Sequence, residues 1–155
     1  MADMPTTPSA FPATAIVTGH GQGRPLLLDQ PLSFWGGYDA AAGRVIEAGH
    51  PQYGISLAGR VMLMARAKGS SSSSSVLAEA IRNGTGPAAI IMRERDLIVG
   101  LGCIVASELY GQQVPVVVVD ESAWKTITVQ VASALHEWSI EADTCGDCML
   151  RMLDR

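Results

Sequence analysis

The sequence predicts a single α/β domain with layered β/β/α architecture. Three observations carry this prediction. Between Val61 and Val119, strand-like and helix-like segments alternate in a βαβαβ pattern, which is typical of a parallel sheet with crossover helices. The segments on either side are rich in strand patterns and lack helix patterns. The length of 155 residues suits one domain with a sizeable core.

The N-terminal part of the chain predicts an arm and two short strands. Residues 1–12 are rich in Pro and Thr and predict a flexible arm. Ala13 to Thr18 is short and β-branched and predicts a strand, which the glycines of residues 19–23 interrupt. Arg24 to Asp29 predicts a second strand. A long glycine-rich segment follows, whose aromatic residues either plug one end of the core or belong to a functional loop. They are Phe34, Trp35 and Tyr38.

The central segment contains the apolar runs that form the alternating pattern. A run of consecutive valines and similar residues favours a strand buried on both faces, as in a parallel sheet. The predicted elements are a strand at Val61–Ala67, a helix at Val76–Asn83 that ends at Gly84, a strand at Ala88–Met92, a mostly buried helix at Leu97–Tyr110 and a strand at Val114–Val119.

The C-terminal part predicts a hairpin followed by a tail. Lys125 to Val131 alternates polar and apolar residues, which favours a half-buried strand, and Leu135 to Ile140 is its candidate hairpin partner. Residues 142–155 predict an appended tail that contains a CxxC motif. The domain itself is therefore expected to span residues 13–141.

The composition excludes several classes of protein. A net charge of −4 argues against a nucleic-acid or anionic-membrane surface, which would be basic. No segment approaches the roughly 20 apolar residues of a membrane span, and the N-terminus lacks a secretory signal pattern. Three cysteines do not make a disulfide framework, so we expect a cytoplasmic protein. Only 17% of the residues are charged, against about 25% in ordinary domains. This deficit indicates a surface covered by a partner.

Six consecutive serines, Ser70 to Ser75, are the most distinctive feature of the sequence. Serine runs are usually flexible linkers. Here a strand candidate ends directly before the run and an apolar helical face begins directly after it, so neither side is a separate domain. The context favours a strand, a Gly-Ser loop and a helix in succession.

Such a loop has the chemistry of an anion site. The first N–H groups of a helix and its dipole attract a carboxylate or phosphate, and serine hydroxyls add donors. Lys68 would add positive charge nearby. A serine in this field could also lose its proton more easily and act as a base beside a carboxylate.

Three strings of the sequence are specific in combination: PLSFWGGYDAAAGRVIEAGHPQYGISLAGR, SLAGRVMLMARAKGSSSSSSVLAEAIRNGTGPAAIIM and ELYGQQVPVVVVD. Together they cover roughly Ile16 to Asp120, and they resemble the small, swivelling subunit of the aconitase X family. The resemblance implies a swivelling β/β/α domain similar to the mobile domain of aconitase.

The resemblance also implies roles for the serine loop. In that superfamily the loop carries Gly-Ser-Ser, and its first serine is the base that removes a proton from the substrate. The matching residues here are Gly69, Ser70 and Ser71, so Ser70 is the expected base. Ser72 stands where aconitases have an arginine that binds the substrate carboxylate. Gly69, Ser71 and Ser72, with backbone N–H groups, are the expected substrate-binding residues instead.

A family member of this kind works with a large subunit. The resemblance implies that the large subunit holds an iron–sulfur cluster or metal, and that this chain holds no cofactor and no metal. The expected substrate is a small hydroxy acid. The segment around SFWGG and HPQYG favours the bacterial dehydratase of cis-3-hydroxy-L-proline, which yields pyrroline-2-carboxylate. Alternatives are the small subunit of a mevalonate 5-phosphate dehydratase, a stand-alone module that binds a small anion without chemistry, and a structural swivel domain whose serine run is only a hinge.

The remaining cysteines and histidines predict no further site. Cys145 and Cys148 form the CxxC of the tail, but two thiolates do not complete a tetrahedral zinc site, and His136 is a doubtful third ligand. Cys103 lies in an apolar helix and is expected to be buried. His50 is expected to be a surface or capping residue, or to face the partner.

Overall fold

The computed structural model describes residues 10–134 and 137–154, which form ten strands and four helices. The helices are α1 (Phe34–Gly37), α2 (Ser73–Asn83), α3 (Leu97–Tyr110) and α4 (Glu121–Ser133). The strands are β1 (Ala10–Val17), β2 (Gly19–Gly23), β3 (Pro25–Leu28), β4 (Tyr38–Asp39), β5 (Arg44–Val45), β6 (Val61–Met64), β7 (Ala89–Met92), β8 (Val116–Val119), β9 (Trp138–Ala142) and β10 (Gly146–Asp154).

Eight strands form one mixed sheet, in the order β2-β9-β10-β1-β8-β7-β6-β3. The half from β8 to β3 is parallel, and the half from β2 to β1 is antiparallel, as is the β1–β8 pairing. The short strands β4 and β5 pair separately. The predicted α/β class and the βαβαβ centre are confirmed.

Three of the parallel strands, β6, β7 and β8, are buried on both faces because helices or further strands cover each side. Along β6, Met62 and Met64 pack in the core that contains residues of α2 and α3. Val61 and Leu63 point the other way, into a core that contains residues of α4, β1 and β9. This burial explains why the strands appear in the sequence as continuous apolar runs.

The glycine-rich stretch after β1 is a strand rather than an interruption. In β2, a side chain on Gly21 would collide with the Ala88 carbonyl oxygen, and one on Gly23 with the Gly59 carbonyl oxygen. These glycines therefore let the strand lie against the backbone that precedes β6 and β7. β2 and β3 stand at opposite ends of the sheet order but are joined through Arg24 alone, so the sheet curls back on itself.

The prediction of a strand at residues 125–131 is wrong, because this segment lies within α4. The Asp120 carboxylate caps the helix by accepting from the Ala123 N–H at 2.8 Å. Ala123, Trp124 and Ile127 then form a buried helical face. The β-branched residues that gave the alternating pattern lie in this helix, some on its buried face and some on its exposed side.

The chain termini also differ from the sequence prediction. Residues 1–9, 135, 136 and 155 lie outside the described residues, so most of the predicted arm, His136 and the first residues of the predicted hairpin strand are not described. β1 already begins at Ala10. In the predicted tail, residues 146–154 form β10, which pairs with β1 and β9. Cys148 lies on this strand and its side chain is not described.

Helix α3 is predicted with the correct bounds but is less buried than expected. Its inner face, with Val99, Cys103 and Ala106, is in the core. On its outer face Leu97, at 67% exposed, and Leu101, at 50% exposed, lie open to solvent. A helix that is apolar on all sides gives no periodic signal to separate these two faces.

Candidate functional site

The serine run lies at the carboxyl end of β6 and leads directly into α2. Ser70 and Ser71 are exposed, Ser72 is half-buried, and Ser73 is buried at the start of the helix. The structure therefore has the strand, Gly-Ser loop and helix that the sequence predicts. Because carboxyl ends of parallel strands share one edge of a sheet, the loops after β6 and β7 are neighbours there, joined by the Arg93 N–H bond to the Ala65 carbonyl.

Ser70 is held by the backbone of the helix start. Its Oγ accepts a hydrogen bond from the Ser72 N–H at 3.1 Å, and its carbonyl accepts from the Ser73 N–H at 3.0 Å. The oxygen thus lies at the N-terminus of α2, where the helix dipole is positive. The Ser72 N–H and the helix dipole both stabilise negative charge on Oγ, which is what a serine base requires.

Gly69 has a conformation and a contact that few other residues tolerate. Its φ is +100°, and a Cβ atom on it would overlap the Ser33 side chain. Ser33 is thereby packed directly against the backbone of the serine loop. The identity of Gly69 is explained by backbone geometry, whatever its role toward a substrate.

The segment from Ser33 to Gly37 supports the serine loop from outside. The Trp35 N–H donates to Ser73 Oγ at 3.1 Å, and Ser33 Oγ donates to the Trp35 carbonyl at 2.9 Å. Phe34 is buried, and Trp35 is 58% exposed. The aromatic segment therefore contributes both to the core and to the support of the loop. Phe34 fills one end of the core, and its neighbours Ser33 and Trp35 brace the serine loop.

Lys68, directly before Gly69, forms an ion pair that the sequence did not predict. Its Nζ lies 3.0 Å from Glu47 Oε2, and the Ser33 N–H donates to Glu47 Oε1 at 3.4 Å. Burial would raise the pKa of Glu47, but the hydrogen bonds from Lys68 and Ser33 outweigh it and lower that pKa. The positive charge expected at the anion site is therefore paired with a carboxylate.

A cavity of about 140 Å³ opens beside the serine loop, between the starts of α2 and α3. Gly69 and Ser73 line one side, and Asp96 and Val99 line the other. Asp96 caps α3, because its carboxylate accepts from the Val99 N–H at 2.8 Å. The walls of the cavity therefore include both helix N-termini, the Asp96 carboxylate and Lys68.

The other candidate residues of the sequence are structural. His50 is 3% exposed and does not face outward. Its Nδ1 accepts from the Gln52 N–H at 3.0 Å, so Nε2 carries the proton and donates to the Gln30 carbonyl at 3.1 Å. Burial raises the pKa of the Cys103 thiol to about 12, which leaves it unreactive at neutral pH.

Among the side chains that the structure describes, no group of three or more His, Cys, Asp or Glu is arranged to hold a metal ion. Over the same residues, no helix is long and apolar enough to cross a bilayer.

Known proteins match both this sequence and this fold. The family model described as the aconitase X swivel domain matches residues 10–139. The crystal structure of aconitase X from Thermococcus kodakaraensis, in its holo-form, is similar to this chain with a TM-score of 0.72 at 28% identity, over 94% of this chain and 98% of that one.

Two relatives show the lengths of proteins that carry this domain. The cis-3-hydroxy-L-proline dehydratase of Pseudomonas aeruginosa is 43% identical over 106 residues, 68% of this chain. This match spans 18% of that protein, so the chain corresponds to less than a fifth of its length. The phosphomevalonate dehydratase small subunit of Methanothermobacter thermautotrophicus is 43% identical over 91 residues, 59% of this chain and 70% of that protein.

Proposed function

This chain belongs to the aconitase X swivel-domain family, and we propose that it is the small subunit of a dehydratase that acts on cis-3-hydroxy-L-proline. The observation that carries the proposal is the setting of Ser70. Its Oγ is fixed by the Ser72 N–H at the N-terminus of α2, in the loop that carries the base in this superfamily. The choice of substrate is supported by the match to the Pseudomonas dehydratase, which covers 68% of this chain, against 59% for the Methanothermobacter small subunit at the same identity.

Ser70 is the proposed base. Its Oγ takes the proton from the ring carbon that bears the carboxylate, and the electron pair of that C–H bond forms a double bond to the neighbouring ring carbon. The hydroxyl group leaves from that neighbour as hydroxide, which takes a proton from solvent to become water. The resulting enamine isomerises to pyrroline-2-carboxylate, and the proton on Ser70 returns to solvent.

Gly69, Ser71 and Ser72 are the proposed ligands of the substrate carboxylate. Ser71 is exposed and Ser72 is half-buried on the turn that leads into α2, where their hydroxyls are the proposed donors, because the Ser72 N–H is already bonded to Ser70 Oγ. In this proposal they do the work of the arginine that Ser72 replaces. Lys68 does not take over that role, because it is already paired with Glu47. Hydrogen bonds that strengthen as charge develops on the carboxylate favour the transition state.

A large subunit completes the proposed enzyme. A metal or iron–sulfur centre on that subunit would supply the Lewis acidity that the departing hydroxyl needs. A dehydration requires both a base and an activated leaving group, so we expect this chain to be inactive alone. We expect the assembled enzyme to act in the cytoplasm.

Mevalonate 5-phosphate is the second candidate substrate. It is favoured by the match to the Methanothermobacter small subunit, because that match covers 70% of a protein that is itself a separate small subunit. The phosphate of this substrate would be bound by the same helix N-terminus that is proposed to bind the carboxylate of hydroxyproline.

Reconstitution with a candidate large subunit tests the proposal. The assembled enzyme is given cis-3-hydroxy-L-proline and mevalonate 5-phosphate separately, and product formation is followed for each. Turnover of hydroxyproline alone is expected. Turnover of mevalonate 5-phosphate alone would contradict the substrate assignment, and turnover of hydroxyproline by this chain without a partner would contradict the subunit assignment.

A further inference from the structure

Glu47 lies where three separate parts of the chain meet. Its side chain is 21% exposed, and its Oε2 lies 3.0 Å from Nζ of Lys68, which directly precedes the serine loop. Its Oε1 accepts from the Ser33 N–H in the segment that braces this loop. Its own N–H donates to the Gly37 carbonyl at 3.2 Å, at the other end of the same segment. The carboxylate thus joins Ser33, at one end of the bracing segment, to the residue before Gly69, and the backbone of Glu47 holds the other end at Gly37.

This network determines where the serine loop can lie. Ser33 is packed against Gly69 so closely that a Cβ there would overlap it, and the Trp35 N–H is bonded to Ser73 Oγ. A shift of the bracing segment would therefore move the loop on both sides of Ser70. Glu47 contacts the bracing segment through Ser33 and the loop through Lys68, so its removal frees both at once.

We propose that Glu47 is a positioning residue that, through Lys68 and Ser33, holds the serine loop with Ser70 in place for proton abstraction. This inference rests on the proposed function for its effect on the reaction. Both oxygens of the carboxylate have donors from the chain itself, so Glu47 acts through the loop and not as a second base. The ion pair also keeps Lys68 away from the carboxylate-binding role that the sequence gave it.

The test uses the enzyme assembled from this chain and its large subunit, with four single variants and the double variant Glu47→Gln/Lys68→Met. Glu47→Gln removes the charge and keeps a similar shape, and Lys68→Met removes the partner cation. Lys68→Arg restores a cation that pairs with Glu47. Glu79→Gln is the matched control, because it removes a Glu from an exposed ion pair with Arg82 on α2.

Kinetics and loop protection are the two measurements. We expect Glu47→Gln and Lys68→Met each to lower kcat about tenfold while KM stays within threefold, since small displacements of a reacting group cost one or two orders of magnitude. The double variant should be no worse than the worse single variant, because both remove the same interaction. Lys68→Arg should retain most of the activity, and Glu79→Gln all of it. In Glu47→Gln and Lys68→Met, amide hydrogen exchange of residues 69–76 should be faster than in wild type, while the exchange of the other residues should be unchanged.

The outcomes separate this proposal from the proposed function. Unchanged exchange at residues 69–76 in Glu47→Gln would overturn the positioning role whatever the substrate is. Faster exchange spread evenly over the whole chain would overturn it too, because it would indicate a general loss of stability. If wild-type enzyme turns over neither candidate substrate while the exchange of residues 69–76 responds as expected, the proposed function fails and the role of Glu47 in holding the loop stands.

Discussion

The Ser72 N–H donates a 3.1 Å hydrogen bond to Ser70 Oγ, two residues earlier in the same loop. This contact places the oxygen of one serine at the start of α2 by means of the backbone of another. It explains why serines are useful here at consecutive positions: Ser70 presents the oxygen, Ser72 supplies the N–H, and Ser73 is buried as an acceptor for Trp35. The run is a folded loop and not a linker.

Gly69→Ala tests the packing of the serine loop against Ser33. A positive φ costs a non-glycine residue about 1–2 kcal/mol, and overlap with Ser33 adds to this cost. Gly54→Ala is the matched control, since Gly54 has a φ of +83° but no atom within 4 Å of its Cβ position. Chemical denaturation should show a larger loss of unfolding free energy for Gly69→Ala than for Gly54→Ala. Equal losses would mean that Ser33 does not constrain the loop.

The ion pair of Glu47 predicts a pH dependence of stability. Because the pKa of Glu47 is lowered from 4.5 in the folded protein, the pair stabilises the fold fully above that pH. The contribution is lost as the pH falls through the lower, folded-state pKa. As the pH falls from about 5 through the folded-state pKa of Glu47, the unfolding free energy of Glu47→Gln should therefore decrease less steeply than that of wild type. Parallel pH curves for the two proteins would contradict the pairing.

Asp96 combines two effects that substitutions can separate. Asp96→Ala removes the cap of α3 and should lower the unfolding free energy by about 1 kcal/mol, whereas Asp96→Asn keeps a good capping group and should stay close to wild type. In the assembled enzyme Asp96→Asn also removes a negative charge from the cavity wall, so a net anion such as mevalonate 5-phosphate should bind more tightly, as a substrate or as an inhibitor. A KM that rises in Asp96→Asn would indicate a direct role of this carboxylate in binding.

The cysteines should differ sharply in reactivity. Cys103 is buried and its thiol pKa is raised to about 12, whereas Cys145 is exposed. Brief alkylation of the native chain at pH 8, followed by peptide mass spectrometry, should label Cys145 and leave Cys103 unmodified. After denaturation both should react. Labelling of native Cys103 at the rate of Cys145 would show that α3 opens readily.

Local signals in the sequence were sufficient for the centre of the fold. Gly84 and Gly111 end α2 and α3 as expected, and the continuous apolar runs correctly indicate parallel strands buried on both faces. The prediction of a strand in the segment of α4 was wrong because its β-branched residues favour a strand. The Asp120 cap and the burial of Trp124 and Ile127 determine a helix instead. The prediction that residues 19–23 interrupt a strand was wrong because their glycines allow close backbone packing against residues that are distant in the sequence.

The candidate site, too, could be predicted only in part from the sequence. The serine loop could be found from a contiguous motif, but the residues that hold it come from other parts of the chain. Ser33 and Glu47 contact the loop across long stretches of sequence, and without the fold nothing marks them as neighbours of Lys68 and Gly69. The burial of His50 was missed for the same reason, since its partners lie in surrounding turns.

Ser70→Ala in the enzyme assembled with its large subunit tests the central claim most directly. Ser75→Ala is the control, because Ser75 is an exposed member of the same run and lies five residues further on, within α2. The measured quantity is kcat with cis-3-hydroxy-L-proline, at equal amounts of assembled complex. If Ser70 is the base, its substitution lowers kcat by about 10² or more while Ser75→Ala stays near wild type. Activity of Ser70→Ala within a few-fold of wild type would contradict the account.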